Sequence, residues 1–282
     1  MVLPLIAAVW LGVFATLVLL QIYRPSAKQP KWVTAFELPP ESIDGSSRQL
    51  LLVSILGLFL ELLMIRWISS ELTIFAYFKN FVLIACFLGF GLGAHLCRQP
   101  VNLGALLAPL VYFVLLIKTP WPQLQTLVRG LTAMLGSSTE VDVWGVPNLA
   151  WNMETLGGLA TTLAVAIPLF SLLSLMFIPL GQATARLLEQ SRDGIKAYSI
   201  NIVGSLVGVL LYTGLSLLYQ PPAIWFVAGG AMLLAAFPAR WQVRAAAIAT
   251  TAICAVMVSL PDSMRETFSM SLTSRISRSV EA

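Results

Sequence analysis

The stretch LLLVSILGLFLELLMIRWI, residues 50–68, decides the fold. It is an apolar run of nineteen residues interrupted by only two charges, Glu61 and Arg66. Coiled as an α-helix at about 1.5 Å per residue it reaches about 28 Å, close to the roughly 30 Å hydrocarbon core of a bilayer. A membrane β-strand needs about half that length and alternates apolar with polar residues. This run does neither, so it reads as a membrane-spanning helix.

Working outward, the same length test marks seven more spans: Leu3–Ile22, Ile74–Leu96, Val101–Ile117, Thr155–Leu180, Ser199–Tyr219, Ala223–Phe237 and Val243–Leu260. In lipid, only helices and closed barrels satisfy their own backbone. The expected fold is therefore all-α: a polytopic integral membrane helical bundle of about eight transmembrane helices. Residues 1–22 form a first helix without the basic start or small-residue cleavage site of a signal peptide. Residues 23–49 form a polar linker holding Pro25, Pro30, Pro39 and Pro40. Residues 50–260 form a seven-helix bundle. Within it, 118–154 carries Trp121, Trp144 and Trp151 and reads as an interfacial segment, because tryptophan favours the headgroup layer. Residues 261–282 are a polar tail.

Composition supports this class. Of 282 residues, 58% are hydrophobic and 11% charged, whereas a soluble domain carries about 25% charged residues. Mean hydropathy is +0.85. These values exclude a water-soluble enzyme, a disordered regulator and a nucleic-acid-binding domain. The pI of about 9.1 reflects a net charge of only +4, spread in short clusters between apolar runs.

Those clusters give an orientation. With the N-terminus outside, Arg24, Lys28, Lys31, Arg48, Arg98, Arg186, Arg192, Lys196, Arg240 and Arg244 fall on the cytoplasmic side. Arg66, Lys79, Lys118 and Arg129 fall outside. Basic residues favour the cytoplasmic ends of spans, so the expectation is a bacterial inner-membrane protein with both termini outside.

Few residues carry chemistry. Cys86, Cys97 and Cys254 lie in or beside apolar runs without CxxC spacing, and His95 is the single histidine. No metal site, catalytic residue or cofactor is expected from that set. Ionisable groups inside spans are costly and are functional candidates. Glu61 is the sharpest. Arg66 lies five residues on, about 140° around the helix, and snorkels near its end. Lys79, across a turn, is the better-placed partner for Glu61. Glu61 is expected chiefly to lock two helices together, with a transport or proton-relay role as the alternative. Gly89 and Gly93, and Gly204 and Gly208, have the GxxxG spacing that lets membrane helices pack closely. Asn201 precedes the second pair and is able to hydrogen-bond across helices. Pro168 and Pro179 kink the Thr155–Leu180 span or mark its end.

The runs LFLELLMIRW (58–67), FLGFGLGAHL (87–96), IPLGQATARLL (178–188) and AYSINIVGSLVGVLLY (197–212) together resemble the membrane half of membrane-fused spermidine-synthase-like proteins, a half similar to the major facilitator superfamily. Glu61 with Arg66, the glycine-rich second span, and Tyr198, Asn201 and Gly204 carry the resemblance over about residues 50–260. The family's catalytic domain, with its glycine-rich acidic loop, has no counterpart in the chain, so its aminopropyltransferase activity is not carried over.

The leading expectation is a non-enzymatic membrane subunit or scaffold. Its partners are the lipid bilayer and other integral membrane proteins, met through Leu3–Ile22 and the small-residue helix faces, and not nucleic acid. The first alternative is a secondary transporter of a small solute using Glu61, Lys79 and Asn201, which an inverted repeat would favour. The second is the membrane anchor of a truncated spermidine-synthase-like protein.

Overall fold

The computed structural model describes residues 35–38, 43, 45–71, 79–118, 153–238 and 240–259, with the backbone alone at 71, 79 and 153–166. The described residues contain seven helices: α1 Ser47–Glu71, α2 Lys79–His95, α3 Gly104–Lys118, α4 Met153–Gln190, α5 Gly194–Leu217, α6 Pro222–Ala236 and α7 Trp241–Ser259. Four contain segments long and apolar enough to cross a membrane: Ser47–Ser70 in α1, Ile167–Gln190 in α4, Gly194–Leu217 in α5 and Trp241–Ser259 in α7. The shorter apolar helices are Asn80–His95, Gly104–Lys118 and Pro222–Ala236. The expected helix Leu3–Ile22, the interfacial residues 119–152 and the tail from 260 lie outside the described residues, as do residues 72–78 at the start of the expected Ile74–Leu96 span.

Helix ends depart from the apolar runs where polar side chains extend a helix. α4 passes Pro179 and continues to Gln190 instead of stopping near Leu180. Ala183 and Leu187 stay buried on its inner face, so the polar stretch GQATARLLEQ still has an apolar stripe to seat. α5 begins at Gly194, ahead of the expected Ser199, because Asp193 caps it and accepts from the Lys196 backbone N–H at 3.1 Å. A side-chain oxygen there satisfies one of the free N–H groups of the first turn. α6 begins with Pro222 in its first turn, where no N–H is needed.

Part of the linker is anchored. Residues 35–38 form a short antiparallel bridge with the α2–α3 loop, through Leu38 N–H to Val101 C=O at 2.9 Å and Leu103 N–H to Phe36 C=O at 3.1 Å. Leu38 and Ile43 are buried there. The Asn102 side chain then accepts from Gly104 N–H at 2.8 Å and starts α3.

Contacts along paired helices fix their directions. α2 and α4 run parallel: Phe81 meets Phe170 with ring centroids 5.1 Å apart, Phe90 meets Phe177 at 5.6 Å, and Arg186 reaches the Cys97 carbonyl just past α2. α1 and α5 also run parallel: Gly204 lies on Leu51 and Ser54, Gly208 on Ile55, and Tyr212 on Phe59. α1 and α2 are antiparallel, since Gly57 faces Phe90 while Glu61 lies within electrostatic reach of Cys86. α6 is antiparallel to α1, because Gln49 Nε2 donates to the Ala236 carbonyl at 3.2 Å and Trp67 meets Phe226 at 5.2 Å.

The directions and contacts divide six helices into two three-helix units, α1–α2–α3 and α4–α5–α6, whose first and middle helices run in opposite sense. Each unit lends its middle helix to the other: α2 packs on α4, and α5 packs on α1. The third helices follow the same exchange, α3 against α4 and α6 against α1, and α7 packs against both α3 and α6. α1 and α4 meet each other as antiparallel first helices. These pairings match the contact pattern that an inverted repeat would produce.

Candidate functional site

The interface between the two units is the natural place to look for a site, and glycine sets its closeness. A methyl group on Gly89 would collide with the Ser174 carbonyl, and one on Gly93 with the Ile178 carbonyl. On the other side, a methyl on Gly204 would sit 2.9 Å from the Leu51 carbonyl, and one on Gly208 would collide with the Ile55 carbonyl. In each pair the glycines are four residues apart, and so are the carbonyls they meet. The two middle helices therefore dock on the opposite unit's first helix in the same register. α4 adds Gly181, which lies against the Phe90 backbone. The alternative glycine positions are free: Gly91 and Gly214 have open space where a side chain would go.

Polar side chains pin these contacts. Asn201 on α5 and Ser54 on α1 are hydrogen-bonded through Ser54 Oγ, which donates to Asn201 Oδ1 at 2.7 Å. On the α2–α4 pair, Gln182 is fully buried and its Nε2 donates to the Leu96 carbonyl at 3.0 Å. Arg186 donates to the Cys97 carbonyl from Nε at 2.9 Å and from Nη2 at 2.6 Å, and also to the Gln99 carbonyl. The end of a helix leaves carbonyls without intrahelical donors. Here a guanidinium and an amide from α4 cap the exit from α2. In the sequence Arg186 counts only toward the basic bias and Gln182 only as part of IPLGQATARLL; neither marks the α2–α4 contact.

Glu61 is buried, 3% exposed, on the side of α1 that faces α2 near Cys86. It lies one turn from Gly57 and its Phe90 contact. Arg66 is exposed and lies within electrostatic reach of Tyr212 of α5. The two charges are thus led to different neighbours, as their angular separation on α1 requires. Lys79 opens α2, and its side chain lies outside the described residues, so its expected pairing with Glu61 falls there too. The register of α1 against α2 sets the Lys79 backbone about two turns from the level of Glu61, toward the end of α1.

Cys86, Cys97 and Cys254 are free and buried. Cys97 Sγ lies 3.6 Å from Glu189 Oε1, as a weak donor to a carboxylate. Among the described residues no group of three or more His, Cys, Asp or Glu side chains is gathered to hold a metal.

No family model, curated protein or solved structure matches this chain.

Proposed function

We propose that the chain is a multi-pass membrane protein that carries a small solute across the bilayer, with Glu61 as the intramembrane charge the solute or a coupled proton engages. The observation that carries this reading is the inverted pairing of α1–α3 with α4–α6. Secondary transporters are commonly built from inverted repeats that rock about a site near the bilayer midplane. Glu61 occupies the middle of a first helix at that level, and an acidic group there is expensive unless it works. The GxxxG faces suit the same task. Small-residue contacts let α2 and α5 slide on α4 and α1 with little side-chain interlocking.

In this reading all seven described helices cross the membrane, and Leu3–Ile22 supplies an eighth span. One face then gathers Arg48, Arg98, Arg186, Arg192, Lys196, Arg240 and Arg244, and the other Arg66, Lys79 and Lys118. The bias places the first face in the cytoplasm.

The test is reconstitution of the full chain in liposomes holding a pH-sensitive dye, with an imposed proton gradient and a panel of small amines, amino acids and carboxylates. The expected result is a proton movement dependent on one class of solute. Glu61→Gln should abolish it while melting within a few degrees of wild type. A second reading, the membrane subunit or scaffold, is favoured by α5, whose outer face leaves Tyr198, Ile202, Leu206 and Leu210 exposed. Absence of flux together with recovery of a stoichiometric membrane partner through that face would replace transport with this reading.

A further inference from the structure

The contact between α2 and α4 changes character along its length. Gly89, Gly93 and Gly181 bring the two helices together backbone to backbone. Toward the start of α2 the contact is between the rings of Phe81 and Phe170. At the finish of α2 it is polar. Gln182 Nε2 donates to the Leu96 carbonyl at 3.0 Å, Arg186 donates to the carbonyls of Cys97 and Gln99, and the Cys97 thiol donates to Glu189 Oε1 at 3.6 Å. The linker meets both sides of this same end, with Leu38 bonded to Val101 past α2 and Gly45 lying against Gln190 at the finish of α4.

The other glycine-packed pair, α1 with α5, differs at the equivalent place. Cys97 lies four residues past Gly93, and Tyr212 lies four residues past Gly208. Where a guanidinium from α4 holds the Cys97 carbonyl, Tyr212 meets the rings of Phe59 and Trp225. The polar ties therefore belong to one end of one pair and not to the docking of the units in general.

Closing that end also has a cost. α4 carries two buried polar atoms with no hydrogen-bond partner among the described residues, Gln182 Oε1 and Ser174 Oγ. Gln182 is 0% and Ser174 4% exposed, and the Ser174 carbonyl is the one that Gly89 meets. An unmatched buried polar atom disfavours the state that buries it. Parting α2 from α4 opens the seam to water and breaks the ties. Ties that favour closure and unmatched atoms that oppose it make a two-state element.

We propose that Arg186, together with Gln182 and Glu189, is a latch that holds the adjoining ends of α2 and α4 shut, and that its release admits water to the seam beside Cys97. In the orientation argued above this end faces the cytoplasm, so the latch closes the cytoplasmic side. That assignment rests on the transport reading; the latch itself does not.

The test follows the reaction of a polar maleimide with the full chain in nanodiscs, where both faces are open to the reagent. Two chains each keep a single cysteine, Cys97 at the latch or Cys254 buried on α7, which packs on α3 and α6. Cys97 should react faster than Cys254, because the latch opens without unfolding of the bundle. A hydrogen bond from a charged donor is worth about tenfold or more in an equilibrium, so Arg186→Met should speed the reaction of Cys97 by at least about tenfold, and Arg186→Lys by less. Loss of a cation beside a thiol by itself slows its reaction, so a faster reaction reports opening. An unchanged Cys97 rate in Arg186→Met would overturn the proposal. Equal rates for Cys97 and Cys254 in that variant would also overturn it, since both would then report unfolding of the whole bundle. Should Arg186→Met fail to fold, Arg186→Lys decides by the same two comparisons. Flux is not measured, so a chain that carries no solute leaves the result standing.

Discussion

Replacing Gly93 by alanine tests the close docking of α2 on α4. A Cβ at that position would lie 2.8 Å from both the Gln182 backbone nitrogen and the Gly181 Cα, and closer still to the Ile178 carbonyl. All three are backbone atoms of one helix, so no side chain can swing away to make room. Ordinary contact needs about 3.5 Å or more, and α2 must therefore retreat from α4 by roughly 1 Å. Overpacking of this kind typically costs about 1–3 kcal/mol. Alanine in place of glycine within a helix returns about 0.5–1 kcal/mol. The net expectation is a destabilisation of about 1–2 kcal/mol. Gly91→Ala, two residues away, meets open space and should be neutral or stabilising by up to about 1 kcal/mol. The same contrast should hold between Gly208→Ala and Gly214→Ala on α5. Reversible unfolding in mixed micelles, followed by steric trapping or by a titration with denaturing detergent, measures each difference. Equal stability of Gly93→Ala and Gly91→Ala would refute the packing of α2 on α4.

Asn201→Leu should cost only about 0.6 kcal/mol, the usual size of an interhelical polar contact in a membrane, because Ser54 Oγ keeps the Leu50 carbonyl at 2.7 Å; a double-mutant cycle with Ser54→Ala measures it. Arg186→Met leaves the Cys97 and Gln99 carbonyls without their donor and should destabilise by about 1–3 kcal/mol, with Arg186→Lys only partly restoring stability in the same unfolding assay, since an ammonium lacks the planar fork. Leu38→Ala truncates a buried side chain that anchors the linker on the α2–α3 loop and should destabilise by about 2–3 kcal/mol in the same unfolding assay.

The helical class of the described bundle was legible because apolar runs of about twenty residues admit few structures in lipid. The glycine pairs were legible too, as faces for close packing. Their partners were not. GxxxG at 89 and 93 says that another backbone comes near, but the approaching helix is α4, some eighty residues on, and its contribution is the carbonyls of Ser174 and Ile178, which leave no mark in a sequence. The inverted relation is hidden for the same reason. It is written in backbone contacts and helix directions, while the side chains differ: in the register set by the glycine contacts, α1 places Glu61 and Arg66 where α4 places Thr184 and Glu189. Asp193 shows a smaller version of the problem. Its role as a helix cap depends on where α5 begins. The ties of Arg186 required coordinates, because an arginine near a span end is ordinary until its acceptors on another helix are known.

The inverted architecture is tested most directly by the sides of the membrane on which α2 and α5 end. In a chain whose buried cysteines 86, 97 and 254 are replaced by alanine, a single cysteine is introduced at Arg98, exposed just past α2, or at Tyr219, which is 95% exposed just past α5. A membrane-impermeant maleimide is then applied to sealed vesicles of known orientation, before and after opening them. The two positions should label from opposite sides, with Arg98→Cys reached from the cytoplasmic face. Labelling of both from the same side would contradict the inverted pairing and the transport reading built on it.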